Sequence, residues 1–345
     1  MALLKDLLRR GRSDAPAPGW ARPLFAGELS AHLRRKDGEV LVWTIEDHAS
    51  KAAITDQFKA NAEEYHRRYA ASDHFERLFR NGLEATGIEV ADATLILDLG
   101  SGSGVNSIVP CRRLFPGARM VATDLSAELL AMLAGYALDN AAADAVVCVK
   151  MDAMSERVAP GAFDLVTGAS ILHHLEDPEQ GLNAAGRALK PGGHAIFFEP
   201  FNGWAIMRLA FERILAEAEL RGDPLDPAAE AVLRATIRDV AERSDPDTTT
   251  AWFPNLDDKW LFSRSRVSAS AKAAGFETVR FVPHAGHPTL YRDMTAVQLR
   301  LGSGRADLSL PDWANAIVDS FDAALTRDAK RELMMEGTIV LTKGG

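Results

Sequence analysis

Cysteine is scarce in this sequence: 345 residues carry two, Cys111 and Cys148, each within an apolar stretch. With no CxxC pair and no His/Cys cluster, neither a disulfide framework nor a zinc site is indicated, and buried reduced thiols are expected. Long apolar runs are also missing. Nothing approaches the ~20 residues that span a bilayer. Lys5 and Asp6 interrupt the opening MALLKDLLRRGR, which excludes an ordinary secretory signal. Positive charge is in the minority, with 39 Lys and Arg against 48 Asp and Glu and a formal net charge of -9. A nucleic-acid binder shows a basic face, so neither nucleic acid nor membrane is the expected partner, and the cytoplasm is the expected location. What is present, 47% apolar and 25% charged residues, suffices for a substantial globular core.

Leu3, Leu4, Leu7 and Leu8 fit one face of a short amphipathic helix, and three prolines and a glycine in residues 14–24 mark a loop after it. From Ile45 to about Thr86 the spacing predicts helix, with Phe58, Ala62, Tyr65 and Tyr69 at turn intervals. The rhythm then changes. LILDL (95–99), RMVAT (119–123), AVVCV (145–149), FDLVT (163–167) and HAIFF (194–198) are short apolar runs separated by helical segments. Ser126 suits the cap of the helix carrying Leu129, Leu130 and Leu133, and Asp177-Pro178 opens another that stops at Pro191-Gly192-Gly193. Alternation of this kind specifies βαβ units and a parallel sheet. Residues 201–244 predict helices, Trp252, Phe253 and Trp260 lie in an aromatic stretch, and a late strand pair is placed at 278–282 and 337–342 around a helix from Pro311 to about Leu325.

Asp98-Leu99-Gly100-Ser101-Gly102-Ser103-Gly104 follows the first strand of that series. Glycines there permit positive φ and close backbone approach to a ligand at the carboxyl end of the sheet. A dinucleotide fingerprint requires G-x-G-x-x-G. Here the third glycine comes one residue early, and an acid sits two residues before the first. Asp98 would repel a pyrophosphate but accept from an ammonium, as S-adenosylmethionine (SAM) carries. Asp124 ends the second strand, where a carboxylate accepts from ribose hydroxyls, and Asp152 follows the third, where it can accept from an adenine amine.

Together LILDLGSGSG, VATDLS, KMDA, FDLVTGASILHHLEDP and LKPGGHAIFFEP resemble, in order, the motifs of the class I SAM-dependent methyltransferases, particularly the small-molecule group. The resemblance covers about residues 95–200, with a weaker match of QFKANAEEY to a pre-core helix. It implies an α/β doubly wound, Rossmann-like sheet of seven strands with the last antiparallel. It implies a helical N-terminal extension over 1–90, a SAM-binding core over 91–200, a helical insertion and substrate cap over 201–276, and the end of the sheet with inserted helices over 277–345. By the same resemblance Gly100, Ser101, Gly102 and Gly104 pack on the methionyl and ribose parts of SAM, and Asp98 faces its ammonium. Asp124 holds the ribose, Leu125 lies beside adenine, Asp152 and Ala153 recognise its edge, and Ala169, Ser170 and Tyr65 line the methionine side.

A sulfonium methyl is already activated, so transfer mainly needs alignment and a deprotonated nucleophile. His173 and His174 are the candidate bases. His284 and His287 are weaker ones, and their HxxH spacing lacks the acids of a metal site, so no metal is expected. The favoured reading is transfer to a small-molecule acceptor at oxygen. A protein or carbohydrate-linked acceptor, or a non-catalytic SAM-binding protein, are the alternatives, and a homo-oligomer is left open.

Overall fold

The computed structural model describes residues 8–10, 17–35, 39–45, 73–89, 94–250 and 253–345. The proposed helix of Leu3 to Leu8 falls almost wholly outside them, as do Tyr65 with its helix and Trp252. The described residues form two compact units.

The first unit comprises residues up to 199 with 265–282 and 338–345. Its sheet is built from β1 (Leu8–Arg10), β2 (Ser30–Arg35), β3 (Val40–Thr44), β4 (Leu95–Leu99), β5 (Arg119–Asp124), β6 (Val146–Lys150), β7 (Phe163–Ala169), β8 (Leu189–Pro200), β9 (Phe276–Pro283) and β10 (Glu336–Lys343). The order is β1-β2-β3-β6-β5-β4-β7-β8-β10-β9. Strands β4 to β8 run parallel, and β4 sits between β5 and β7. Such a sheet is covered on both faces, which is why β4 to β7 are almost continuously buried. Helices α1 (His74–Thr86), α2 (Ile108–Leu114), α3 (Ala127–Asp139) and α4 (Pro178–Ala188) belong to this unit. Two caps are those read from the sequence: Ser126 Oγ accepts from the Leu129 N–H at 3.2 Å, and Asp177 Oδ1 from the Gln180 N–H at 3.0 Å. On α1, Phe79 is fully buried against Phe198 of β8, with ring centroids 4.6 Å apart. Cys111 and Cys148 are buried free thiols, and burial pushes the Cys148 thiol up to about 12.

Strands β4 to β10 are the seven read from the sequence; the sheet has ten. Of the N-terminal extension read as helical, α1 is a helix, whereas residues 8–10, 30–35 and 40–44 are strands. Strands β1 and β2 pair antiparallel, β2 pairs antiparallel with β3, and β3 joins β6 in parallel, Trp43 opposite Val149. The physical signal is period two: Ala31 and Leu33 are buried while their neighbours are partly exposed. A second departure lies at LKPGG. It does not merely stop α4, because β8 begins at Leu189 and the register jumps from Phe163↔Leu189 to Leu165↔His194. Residues 190–193 bulge out of the ladder, where Pro191 has no N–H to lose.

The second unit, residues 200–264 and 283–337, is helical. Helices α5 (Trp204–Arg221), α6 (Pro227–Ser244), α8 (Leu290–Ser303) and α9 (Asp312–Ala324) enclose a core that includes Met207, Phe211, Leu233, Tyr291 and Val318, with α10 (Arg327–Glu332) following; α7 (Arg264–Ala273) leads back to β9. Asp322 accepts from the N–H groups of Tyr291 and Arg292 at the first turn of α8 and pairs with buried Lys330 at 2.8 Å. The pair fills the orphan donors of a helix end with a charge held in place. Among the described residues no helix is long and apolar enough to cross a membrane.

Candidate functional site

Three acids stand at or just beyond the carboxyl ends of adjacent strands: Asp98 in β4, Asp124 ending β5 and Asp152 after β6. The glycine turn lies between the first two. Gly100, Gly102 and Gly104 all have positive φ, at 67°, 53° and 81°, but their surroundings differ. A Cβ on Gly100 would meet Ile171 Cγ1 at 2.6 Å, and one on Gly104 would overlap the Leu133 side chain. Above Gly102 the nearest atom would be Leu129 Cδ1 at 4.0 Å. Two of the glycines are thus demanded by the protein's own packing. Only Gly102 opens onto unfilled ground.

Polar contacts fix the turn. The Ser101 N–H donates to Thr123 O at 2.8 Å, and the Gly102 N–H donates to Asp124 Oδ2 at 2.8 Å. Asp124 Oδ1 accepts from the Ser126 N–H at 2.7 Å. Burial raises the Asp124 carboxyl above its ordinary range against the pull of these backbone donors. A carboxylate has about four lone-pair sites, so these bonds still leave acceptor capacity for a ribose hydroxyl. Asp152 is buried and accepts from the Met154 N–H at 2.9 Å, Ala153 is buried beside it, and Leu125 is partly exposed beyond Asp124.

Asp98 is placed deeper than the sequence suggested. It is fully buried, and its two oxygens accept from Ser107 Oγ at 2.5 Å and Thr167 Oγ1 at 2.7 Å. Burial pushes its carboxyl up to about 6, the hydroxyl donors offsetting only part of that cost. Among the described residues no cation is paired with it in an ion pair. Its first partners are hydroxyls, and a bound cation would feel its charge through the turn. Ser107 and Thr167 were not singled out by sequence reasoning, since an isolated hydroxyl carries no spacing signal.

Ala169 ends β7, and Ser170 follows with a φ of 63°, unusual for a side chain with a Cβ. Its N–H donates to Phe198 O at 3.0 Å, which ties the turn to β8. The short turn Leu172–His174 comes next, and Glu199 at the end of β8 organises it. Glu199 Oε1 accepts from the N–H groups of Ile171 at 3.1 Å and Leu172 at 2.8 Å. Oε2 accepts from the His173 N–H at 3.2 Å and contacts His173 Nδ1 at 2.6 Å. Glu199 and His173 are both buried, at 1% and 7% exposure, whereas His174 is partly exposed, its ring 4.0 Å from that of His173. Sequence reasoning missed Glu199. Its one signal was a carboxylate ending the strand beside the one that leads to paired histidines.

The remaining candidates lie in the helical unit. His287 Nδ1 is 3.6 Å from Asp293 Oδ2, and the His284 N–H donates to Glu336 O. Phe253 and Trp260 are buried and pack edge-to-face at 5.5 Å.

The residues at the glycine turn fit SAM: an open glycine, a buried acid beneath it whose described partners are hydroxyls rather than a cation, and a carboxylate with acceptor capacity at the next strand. Comparison with known proteins agrees. Residues 97–197 match the family described as methyltransferase domain. An uncharacterized protein of Synechococcus sp. is 33% identical over 39% of this chain and 32% of its own length. The ubiquinone biosynthesis O-methyltransferase of Idiomarina loihiensis is 32% identical over 35% of this chain and 49% of its own. The matches thus span about a third to a half of these relatives. Among solved structures, a chain of the Haloferax volcanii complex between the Trm112 methyltransferase activator and a putative methyltransferase covers 85% of this chain and 100% of its own, with TM-score 0.49 and 16% identity. Residues 97–197 thus match the methyltransferase domain family, and over that stretch the chain is similar to class I SAM-dependent methyltransferases.

Proposed function

We propose that this chain transfers the methyl group of SAM to a small-molecule acceptor, at an oxygen. The observation that carries the reading is the juxtaposition of the open glycine turn with a histidine whose ring is held by a buried carboxylate, His173 Nδ1 to Glu199 Oε2 at 2.6 Å. When bound, SAM supplies a methyl on a sulfonium whose leaving group is a neutral thioether. Asp124 holds the ribose hydroxyls, with Leu125 beside the adenine and Asp152 and Ala153 at its edge. Gly100, Ser101, Gly102 and Gly104 bring backbone against the methionyl part, and Ala169 and Ser170 line its other side. Asp98 supplies negative charge beneath the turn. A hydroxyl acceptor needs its proton removed as it attacks, and general bases of this kind contribute about 10²–10⁴ in rate. His173 is the base, with His174 next to it.

The distant O-methyltransferase relatives point the same way for the acceptor atom. The test is incubation of the purified chain with methyl-labelled SAM and a metabolite extract, followed by identification of the labelled product. A labelled small molecule carrying an O-methyl group is expected. Label found only in protein, or only at nitrogen or carbon, overturns the assignment.

A further inference from the structure

The N-terminal extension does more than widen the sheet: it grips β6 and the loop beyond it. Strand β6 has β5 on one side and β3 on the other, with Trp43 opposite Val149 and Thr44 opposite Lys150. Before β6, the Trp20 indole N–H donates to Asp144 O at 3.2 Å, and the Arg119 guanidinium lies 5.5 Å from the centre of the Trp20 ring. At the other end, Thr44 Oγ1 donates to Lys150 O at 3.3 Å. Farther along that loop the Ala26 N–H donates to Arg157 O at 2.7 Å and the Ala159 N–H to Leu24 O at 2.8 Å. These two bonds flank an antiparallel bridge between Phe25 and Val158, both buried. On the extension side, none of the gripping residues belongs to the motifs that carry the resemblance.

Between these ties stands the turn that carries Asp152. Its carbonyl accepts from the Ser155 N–H at 3.0 Å and its Oδ1 from the Met154 N–H at 2.9 Å, so the turn sets the direction of the carboxylate. On the inner side, the Met151 N–H donates to Asp124 O at 3.0 Å and locks the start of the loop to the end of β5. On the outer side, the exit of the loop at 157–159 is held by the extension. A carboxylate reads an amine only at about 2.7–3.2 Å and near-linear geometry, so a small drift of the turn forfeits the bond. We propose, given the assignment of Asp152 to the adenine edge, that the extension is a positioning element for the base. By holding 157–159 through residues 24–26 and Lys150 through Thr44, it fixes Asp152 where it accepts from the adenine amine. It thereby sets the selectivity of the cofactor site for adenine over a purine that carries an oxygen at that position.

Ala26→Pro deletes the N–H that donates to Arg157 O and adds little bulk. Phe25 ahead of it is already extended, at φ −131° and ψ 140°, as a residue before proline must be. Thr44→Val removes the hydroxyl that donates to Lys150 O and keeps the branched shape. Calorimetry on the full-length protein compares S-adenosylhomocysteine with S-inosylhomocysteine, in which a carbonyl oxygen replaces the adenine amine. Wild type should prefer the adenine ligand by about ten- to a hundredfold, the worth of a hydrogen bond to a charged group. Asp152→Asn keeps an acceptor for the Met154 N–H and should abolish that preference. Ala26→Pro should cut the preference by about fivefold through the adenine ligand alone, with S-inosylhomocysteine binding within about twofold of wild type. Thr44→Val should cut it by about two- to threefold. Added to Asp152→Asn, Ala26→Pro should change nothing further. A folded Ala26→Pro that keeps the wild-type preference overturns the proposal, and so does one that weakens both ligands equally. If Ala26→Pro does not fold, Thr44→Val decides, and an unchanged preference there overturns it. A wild type that binds both ligands alike removes Asp152 from the adenine edge, and the positioning role falls with it. No binding of either ligand removes the SAM site itself.

Discussion

The glycines of the turn separate packing from ligand binding, and alanine substitutions read that difference. Gly102→Ala places a methyl where the nearest atom is 4.0 Å away, so the cost to the unliganded protein is that of an L-residue at φ 53°, about 1–2 kcal/mol. Gly100→Ala carries the same backbone cost at φ 67°, and its Cβ also meets Ile171 Cγ1 at 2.6 Å and Cβ at 3.0 Å. Ile171 cannot swing aside freely, because its N–H is bonded to Glu199 and its Cβ is fixed by the backbone. Overpacking of this kind adds about 1–3 kcal/mol, so Gly100→Ala should lose about 2–5 kcal/mol. The order reverses when cofactor affinity is weighed against stability. In Gly102→Ala the new methyl stands in the cradle itself, and an obstruction of about 1–3 kcal/mol weakens Kd by roughly five- to 150-fold. Thermal unfolding without ligand should rank wild type above Gly102→Ala above Gly100→Ala. Titration calorimetry with S-adenosylhomocysteine should then show Gly102→Ala impaired far beyond its small loss of stability. If folded Gly102→Ala binds within twofold of wild type, the ground above Gly102 is not the seat of the cofactor.

Asp124→Ala should weaken SAM binding by about 1–3 kcal/mol in a folded protein; unchanged calorimetric affinity would end its assignment to the ribose. The Asp98 carboxyl, raised by burial from 3.8 to about 6, holds its proton more tightly folded than unfolded. Its contribution to stability is thus fully present below pH ~4 and is lost as pH rises through 6, by about 3 kcal/mol in all. Wild type minus Asp98→Asn in unfolding experiments across that window should show this slope, and a flat difference would place the charge elsewhere. Hydrogen exchange with S-adenosylhomocysteine should slow amides in 98–104 and 169–174. Protection extending into residues 201–262 is expected if the helical unit serves the acceptor as a cap, and protection confined to 98–174 would assign that unit another purpose.

Much of this arrangement was legible in the sequence, because the parallel strands declare themselves as short apolar runs and the ligand turn as glycines between acids. Caps at Ser126 and Asp177 followed from local chemistry alone, since a side-chain oxygen two or three residues from an N–H needs no tertiary partner. The strands of the N-terminal extension were not legible in that way. Charged Arg34, Arg35 and Lys36 interrupt what is otherwise an alternating pattern, and what makes β3 a strand is its neighbour β6, over a hundred residues away. The depth of Asp98 escaped for the same reason. Its spacing from Gly100 marks a ligand loop, but its partners Ser107 and Thr167 come from a later helix start and from another strand.

Glu199 shows why tertiary chemistry of this sort stays hidden until strands are ordered. Strands β7 and β8 lie side by side in register, Ala169 opposite Phe198, so the residue one step beyond Phe198 is delivered to the turn that leaves β7. A parallel sheet does this at every neighbouring pair of strands, and here it does so three times with carboxylates. Asp124 at the end of β5 holds the turn leaving β4, Asp98 within β4 holds Thr167 of β7, and Glu199 holds the turn leaving β7. Each acid secures a loop or strand belonging to its neighbour. The chain can therefore keep a positive-φ residue at Ser170 and an open glycine at Gly102 in fixed positions without covering them. A catalytic surface needs that combination: backbone held rigid by groups behind it, with the side facing the ligand left clear.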